Sequence, residues 1–152
     1  MDHSQAAYDN FYKGYNCAQS VFSAFCDVTG LDLETALLLS SSFGGGMGRL
    51  REVCGAFSAI IMVAGCIYGY TTPKDYDAKS KHYALVQELA ARFKAENSSV
   101  ICREILGLTA PSDPNVPPRT DEYYKKRPCA EICRNAAKIL DDYIREHGEC
   151  CD

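Results

Sequence analysis

The sequence predicts an all-α fold: a compact single-domain bundle of about six or seven helices around a central apolar helix, about residues 51–69. Three observations point there. Apolar residues recur at helical spacing, and no alternating strand pattern of useful length interrupts them. Helix start and stop signals punctuate the chain at regular intervals. The stretch Val53 to Pro73 holds no charged residue, as expected of a helix buried on all sides. At 152 residues the chain, 1–152, suits one domain with one core, and no internal repeat divides it.

The elements follow in order. Residues 4–13 form a short first helix, closed by Gly14. Asn16 is a good N-cap for a second helix, about 17–28, with Cys17, Val21, Phe25 and Val28 as its stripe, and Gly30 ends it. Asp32 caps a third helix through Leu37-Leu38-Leu39. The run Ser40 to Gly48 cannot continue that helix, since each interior glycine costs about 1 kcal/mol against alanine. The central helix comes next. Thr72-Pro73 reads as the start of a long helix to about Glu96, with Tyr76, Tyr83, Val86, Ala90 and Phe93 on its buried face. A short helix carrying Cys102 stops at Gly107, and the proline-rich stretch Thr109 to Thr120 is a surface connection. The last helix starts near Pro128 and lines up Cys129, Ile132, Cys133, Ala136, Leu140, Tyr143 and His147. Residues 148–152 read as a flexible tail.

The net charge of −4 and the absence of a basic cluster argue against nucleic acid or an acidic membrane as partner. The polar opening Met1 to Gln5 lacks a signal-peptide pattern, which points to the cytoplasm. Thiols there are catalytic, metal-binding or buried more often than paired, and nine cysteines cannot all pair within one chain. A membrane span over Val53 to Pro73 is the weaker reading, because the stretch is rich in small and hydroxylated residues and stands alone.

Four cysteines fall where a helix begins. Cys17 follows Asn16, Cys54 follows the glycine loop, Cys102 follows Asn97-Ser98-Ser99, and Cys129 follows Pro128. The unpaired N–H groups and partial positive charge of a helix N-terminus favour a thiolate. Cys54, with Arg49 and Arg51 upstream and Gly55 after it, is expected to be the most reactive thiol. Lys125-Lys126-Arg127 should favour the anion of Cys129. The loop residues Gly44, Gly45, Gly46 and Gly48, with Gly55, allow a cofactor or anion close to the main chain, or simply a tight turn. Cys133 shares a helix face with Cys129. Cys26 and Cys66 read as core, Cys150-Cys151 as tail beside His147, and His82 as solvent-facing. No Cys-x-x-Cys and no His-Glu-x-x-His pattern is present.

Gly14-Tyr15-Asn16-Cys17-Ala18-Gln19, the Phe43 to Gly48 loop, Cys54-Gly55-Ala56, Cys102-Arg103-Glu104-Ile105-Leu106-Gly107 and Cys129 together resemble the C_GCAxxG_C_C family of putative redox-active proteins. The resemblance runs from about Tyr12 to Leu140. It implies redox chemistry and four family cysteines, which carry over to Cys17, Cys54, Cys102 and Cys129. The last glycine of the family's Cys-Gly-Ala-x-x-Gly motif is Ala59 here. Genes of the family often lie near transporter genes, which implies a functional link to a transporter.

The expected function is therefore redox work by these four cysteines, either as thiol/disulfide exchange or by holding an iron–sulfur cluster. The partner would be an electron donor or acceptor or a small-molecule substrate, and the chain could form a homo-oligomer. Two alternatives stand beside it: zinc held structurally on the four thiolates, and a transporter-associated binding or regulatory module without redox activity.

Overall fold

The computed structural model describes residues 2–149, so Cys150 and Cys151 lie outside the described residues. The fold is all-α. Among the described residues there are ten α-helical segments and no strand, only one isolated antiparallel bridge between Val53 and Ile101.

Local capping explains most boundaries. Helix α1, His3–Tyr12, starts under Asp2, whose carboxylate accepts the Ser4 and Gln5 N–H groups. Helix α2, Cys17–Phe22, starts under a reciprocal capping box between Asn16 and Gln19. The single helix expected over 17–28 is broken: after a 3-10 turn, Ser23–Phe25, α3 covers Cys26–Thr29. Phe25 leaves helical dihedrals at φ −103°, ψ 21°, and Gly30 ends α3 at φ 74°. Asp32 caps α4, Leu33–Ser40. Segment α5, Gly44–Met47, is one turn with left-handed Gly45 and Gly46 inside it.

The central helix α6 spans Gly55–Tyr68 and is buried from Gly55 to Ile60 and at Val63 and Ala64. Alanines at 56, 59 and 64 let α2, α7 and α10 approach closely. The remaining helices are α7, Tyr76–Asn97; α8, Cys102–Leu106; α9, Asp121–Lys126; and α10, Cys129–His147, which lies along α1. Phe11, Val21, Phe25, Ile60, Leu89, Phe93 and Leu140 are among the large, fully buried side chains of the core. No helix of the described residues is long and apolar enough to cross a membrane.

Four expectations are corrected. Helix α7 begins at Tyr76 under Asp75, not at Thr72-Pro73, because the Asp75 carboxylate accepts the Ala78 N–H. Tyr76 and Tyr83 are exposed, since the first turns of α7 reach past the core, and Leu89 and Phe93 carry its burial. Cys66 is exposed, because the end of α6 beyond Ala64 is only partly covered, and Cys26, at the start of α3, is half-buried. His82 is half-buried, packed edge-on against Tyr70, with its Nδ1 enclosed and without a hydrogen-bond partner.

A polar clamp ties the two ends of the fold together. Buried His3 pairs with Asp141 through Nδ1 at 2.5 Å and with Asp27 through Nε2 at 3.0 Å, while its ring stacks on Phe25.

Candidate functional site

Each of the four family-type cysteines stands at a helix start. Cys17, Cys102 and Cys129 are the first residues of α2, α8 and α10, and Cys54 is the residue that caps α6. All four line one cavity of about 260 Å³, together with Gly44, Gly45, Gly46, Gly48 and Gly55.

The glycine loop builds one wall of it. Gly45, Gly46, Met47, Gly48, Arg49 and Arg51 all have φ between 60° and 70°. Three of these residues carry side chains, and each left-handed non-glycine residue costs on the order of 1 kcal/mol or more. The turn is held by hydrogen bonds from the Gly48 N–H to the Gly44 carbonyl and from the Glu52 N–H to the Gly46 carbonyl, both at 2.9 Å. Beyond it, residues 51–54 pair with 100–103. The Cys102 N–H donates to the Glu52 carbonyl at 2.6 Å, and the Cys54 N–H to the Val100 carbonyl at 2.7 Å. This pairing carries Cys54 and Cys102 to neighbouring helix starts. Gly46 is required here on two counts, its φ of 70° and the 2.6 Å that would separate an added Cβ from the Cys102 Cβ.

The electrostatics differ from those expected at Cys54. Burial pushes its thiol up to about 12, and the nearby N–H groups of Phe57 and Ala56 only partly offset this. The arginines do not serve it. Arg51 is itself buried, donates from Nη1 to the Cys102 sulfur at 3.7 Å and from Nε to the Ser112 hydroxyl at 2.9 Å. Arg49 reaches the Asp113 carbonyl at 2.6 Å. The guanidinium expected beside Cys54 therefore stands beside Cys102.

Cys17 lies close enough to Cys129 and to Cys133 for their thiols to shift one another's titration, and the Cys133 thiol donates to the Cys17 carbonyl at 3.8 Å. The neighbouring Cys129 thiol pulls the Cys17 thiol down, but Cys133 and burial outweigh it and hold Cys17 well above its ordinary value. Cys129 is pushed up by its contact with Cys17 and by burial, against the pull of Arg127 and Arg51. Cys133 is raised mainly by burial. The expected thiolate at Cys129 is thereby corrected, because the neighbouring thiol outweighs the nearby cation.

Several lining residues carried no sequence signal. Arg119 enters from the proline-rich segment, donating to the Phe11 carbonyl at 2.7 Å and lying 4.2 Å over the Phe11 ring. That segment was expected to be a plain surface connection, yet Pro114, Val116 and Pro117 form a wall of the cavity. Arg127, 5.4 Å over the Tyr123 ring, was signalled only as part of the basic run before Cys129. Lys125 and Lys126 of that run are exposed.

Among the described residues, no three Cys, His, Asp or Glu side chains are grouped so that they could hold one metal ion. Among these described residues the sulfurs do not form the ligand set that a tetrahedral zinc–thiolate centre needs.

Comparison with known proteins agrees with this cysteine-centred picture. No curated protein and no solved structure matches the chain. A family model described as "Putative redox-active protein (C_GCAxxG_C_C)" matches residues 15–143, from just before Cys17 into the last helix. The chain belongs to that family.

Proposed function

We propose that this redox-type protein works by reversible thiol/disulfide exchange, with Cys17 and Cys129 as the exchanging pair. One observation carries the choice: two cysteines from opposite ends of the sequence line one cavity, near enough for their thiols to shift each other's titration. A dithiol cycles only when the second sulfur is within reach of the first. Oxidation of the pair forms the Cys17–Cys129 bond and releases two protons. The two electrons pass to an oxidised acceptor of the disulfide class, whose S–S bond breaks to give two thiols. Cys102 beside Arg51 and Cys54 at the cap of α6 complete the sulfur-lined wall.

The test is oxidation of the reduced protein with oxidised glutathione, followed by peptide mapping without reductant. A Cys17–Cys129 linked peptide, reversed by dithiothreitol and missing in Cys17→Ser, is the expected result. Free thiols throughout, or stoichiometric iron with sulfide in the purified protein, would overturn the exchange reading in favour of a cluster or a non-redox role.

A further inference from the structure

We infer that the cavity binds a small anionic molecule through an oxyanion group, such as a carboxylate or phosphate, seated against Arg51. This rests on the reading of the cavity as a thiol site and gives the chemical class of what enters it.

The charge of the lining carries the inference. Arg49, Arg51, Arg119 and Arg127 all border the cavity, and no aspartate or glutamate does. The chain as a whole has 20 acidic and 16 basic residues, so the cavity reverses the overall balance. The arginines found in ion pairs lie elsewhere, at 92, 103, 134 and 145. Arg51 is only 4% exposed, and its side-chain polar contacts are the Ser112 hydroxyl and the Cys102 sulfur, neither of them a carboxylate. A buried guanidinium without a counter-charge is costly, and a carboxylate or phosphate met bidentately is the partner its fork suits.

Two further features agree. Phe11, Ile105, Leu106 and Val116 make part of the wall apolar, which strengthens attraction between an arginine and an anion. Arg119 is already committed through its Phe11 contacts, and Arg127 stacks over Tyr123, so both are held in place before a ligand arrives. The volume of about 260 Å³ falls just below the roughly 300–1,000 Å³ of drug-sized ligand sites, which selects a small molecule or the anionic end of a larger one. An anion on Arg51 lies against the Cys102 sulfur, which the same guanidinium contacts.

The experiment uses fully reduced protein and needs no redox turnover. Cys102 is alkylated with iodoacetate, an anion, and in parallel with neutral iodoacetamide; in each case the sulfur–carbon bond forms and iodide leaves. Exposed Cys66 in the same sample is the reference. The iodoacetate-to-iodoacetamide rate ratio at Cys102 should exceed that at Cys66 by about tenfold or more, as an electrostatically focused site would give. Inorganic phosphate or acetate should protect Cys102 and leave Cys66 unaffected, and the tighter of the two assigns a tetrahedral or planar group.

Arg51→Gln should abolish the preference, with Arg51→Lys restoring part of it. Arg127→Gln should lower it and serves if Arg51→Gln fails to fold. Melting temperature in phosphate against chloride at equal ionic strength decides the matter if Cys102 resists both reagents: a rise lost in Arg127→Gln supports the anion site. Equal ratios at Cys102 and Cys66, or no phosphate-specific rise, would overturn it. An intact preference without a Cys17–Cys129 disulfide would sink the exchange reading alone.

Discussion

Alkaline titration of Cys54 puts the burial of this site on a measurable scale. Its thiol is raised from an ordinary 9.0 to about 12, with burial as the main cause. At pH 9 about half of an ordinary thiol is ionised, against about one in a thousand for Cys54, so its alkylation should be slower by a few hundredfold. The rate should then climb about tenfold per pH unit until it levels off near 12. Labelling with iodoacetamide from about pH 7 to about 11, read by peptide mass spectrometry beside free glutathione, measures this. The same shift bears on folding. A thiol raised in the folded state leaves stability untouched below the unfolded value near 9 and removes it as pH climbs toward 12. Circular dichroism taken alongside should show stability falling only in that alkaline window. A Cys54 midpoint at or below 9, or labelling ahead of Cys66, would show that the thiol is not buried as described and restore the reactive thiolate that its helix start suggests.

Three more outcomes follow from the packing. His3 is pushed down by burial, but hydrogen bonds to Asp141 and Asp27 outweigh this and raise it; its contribution is full below 6.5 and lost as pH passes the folded value. His3→Gln should therefore cost about 1–2 kcal/mol in urea unfolding at pH 6, discounted for the exposed Asp27, and markedly less at pH 9. Two glycines of α6 should respond oppositely. An added Cβ at Gly65 meets nothing within 4 Å, so Gly65→Ala should raise the melting temperature by about 2–4 °C, whereas at Gly55 it would lie 2.8 Å from the Phe43 carbonyl and lower it by at least that much. Gly46→Ala combines a φ of 70° with contacts of 2.8 Å or less to Cys102, Arg51 and Glu52. Its loss should exceed about 2 kcal/mol by denaturant unfolding.

Helix starts were legible because capping is local. Asn16, Asp32 and the stops at Gly30 and Gly107 act within one turn of the residues they affect, and the structure places each where its chemistry suggests. The four cysteines were selected by the same local argument. What surrounds them was not legible, because it depends on pairing between distant segments. Residues 51–54 dock on 100–103, which hands Arg51 to Cys102 and leaves Cys54 buried without it. Arg119 is brought in by a proline-rich stretch with no helical period to place it. The exposed Tyr76, Tyr83 and Cys66 show the same limit: apolar periodicity marks a face, but where a helix leaves the core depends on its neighbours.

Cys17 and Cys129, neighbours on the cavity wall, are joined by roughly 110 residues of chain, which has a topological consequence. A bond between them would make most of the polypeptide one covalent ring. Closing so long a loop removes entropy from the unfolded chain and stabilises the fold by on the order of 4–5 kcal/mol, or about 10–20 °C in melting temperature. Each oxidation would thus tighten the whole molecule and each reduction would loosen it. By linkage, the fold would in turn favour the bonded form over the same two cysteines in an unfolded chain by an equal amount, so that the state of one sulfur pair and the firmness of the whole chain would rise and fall together.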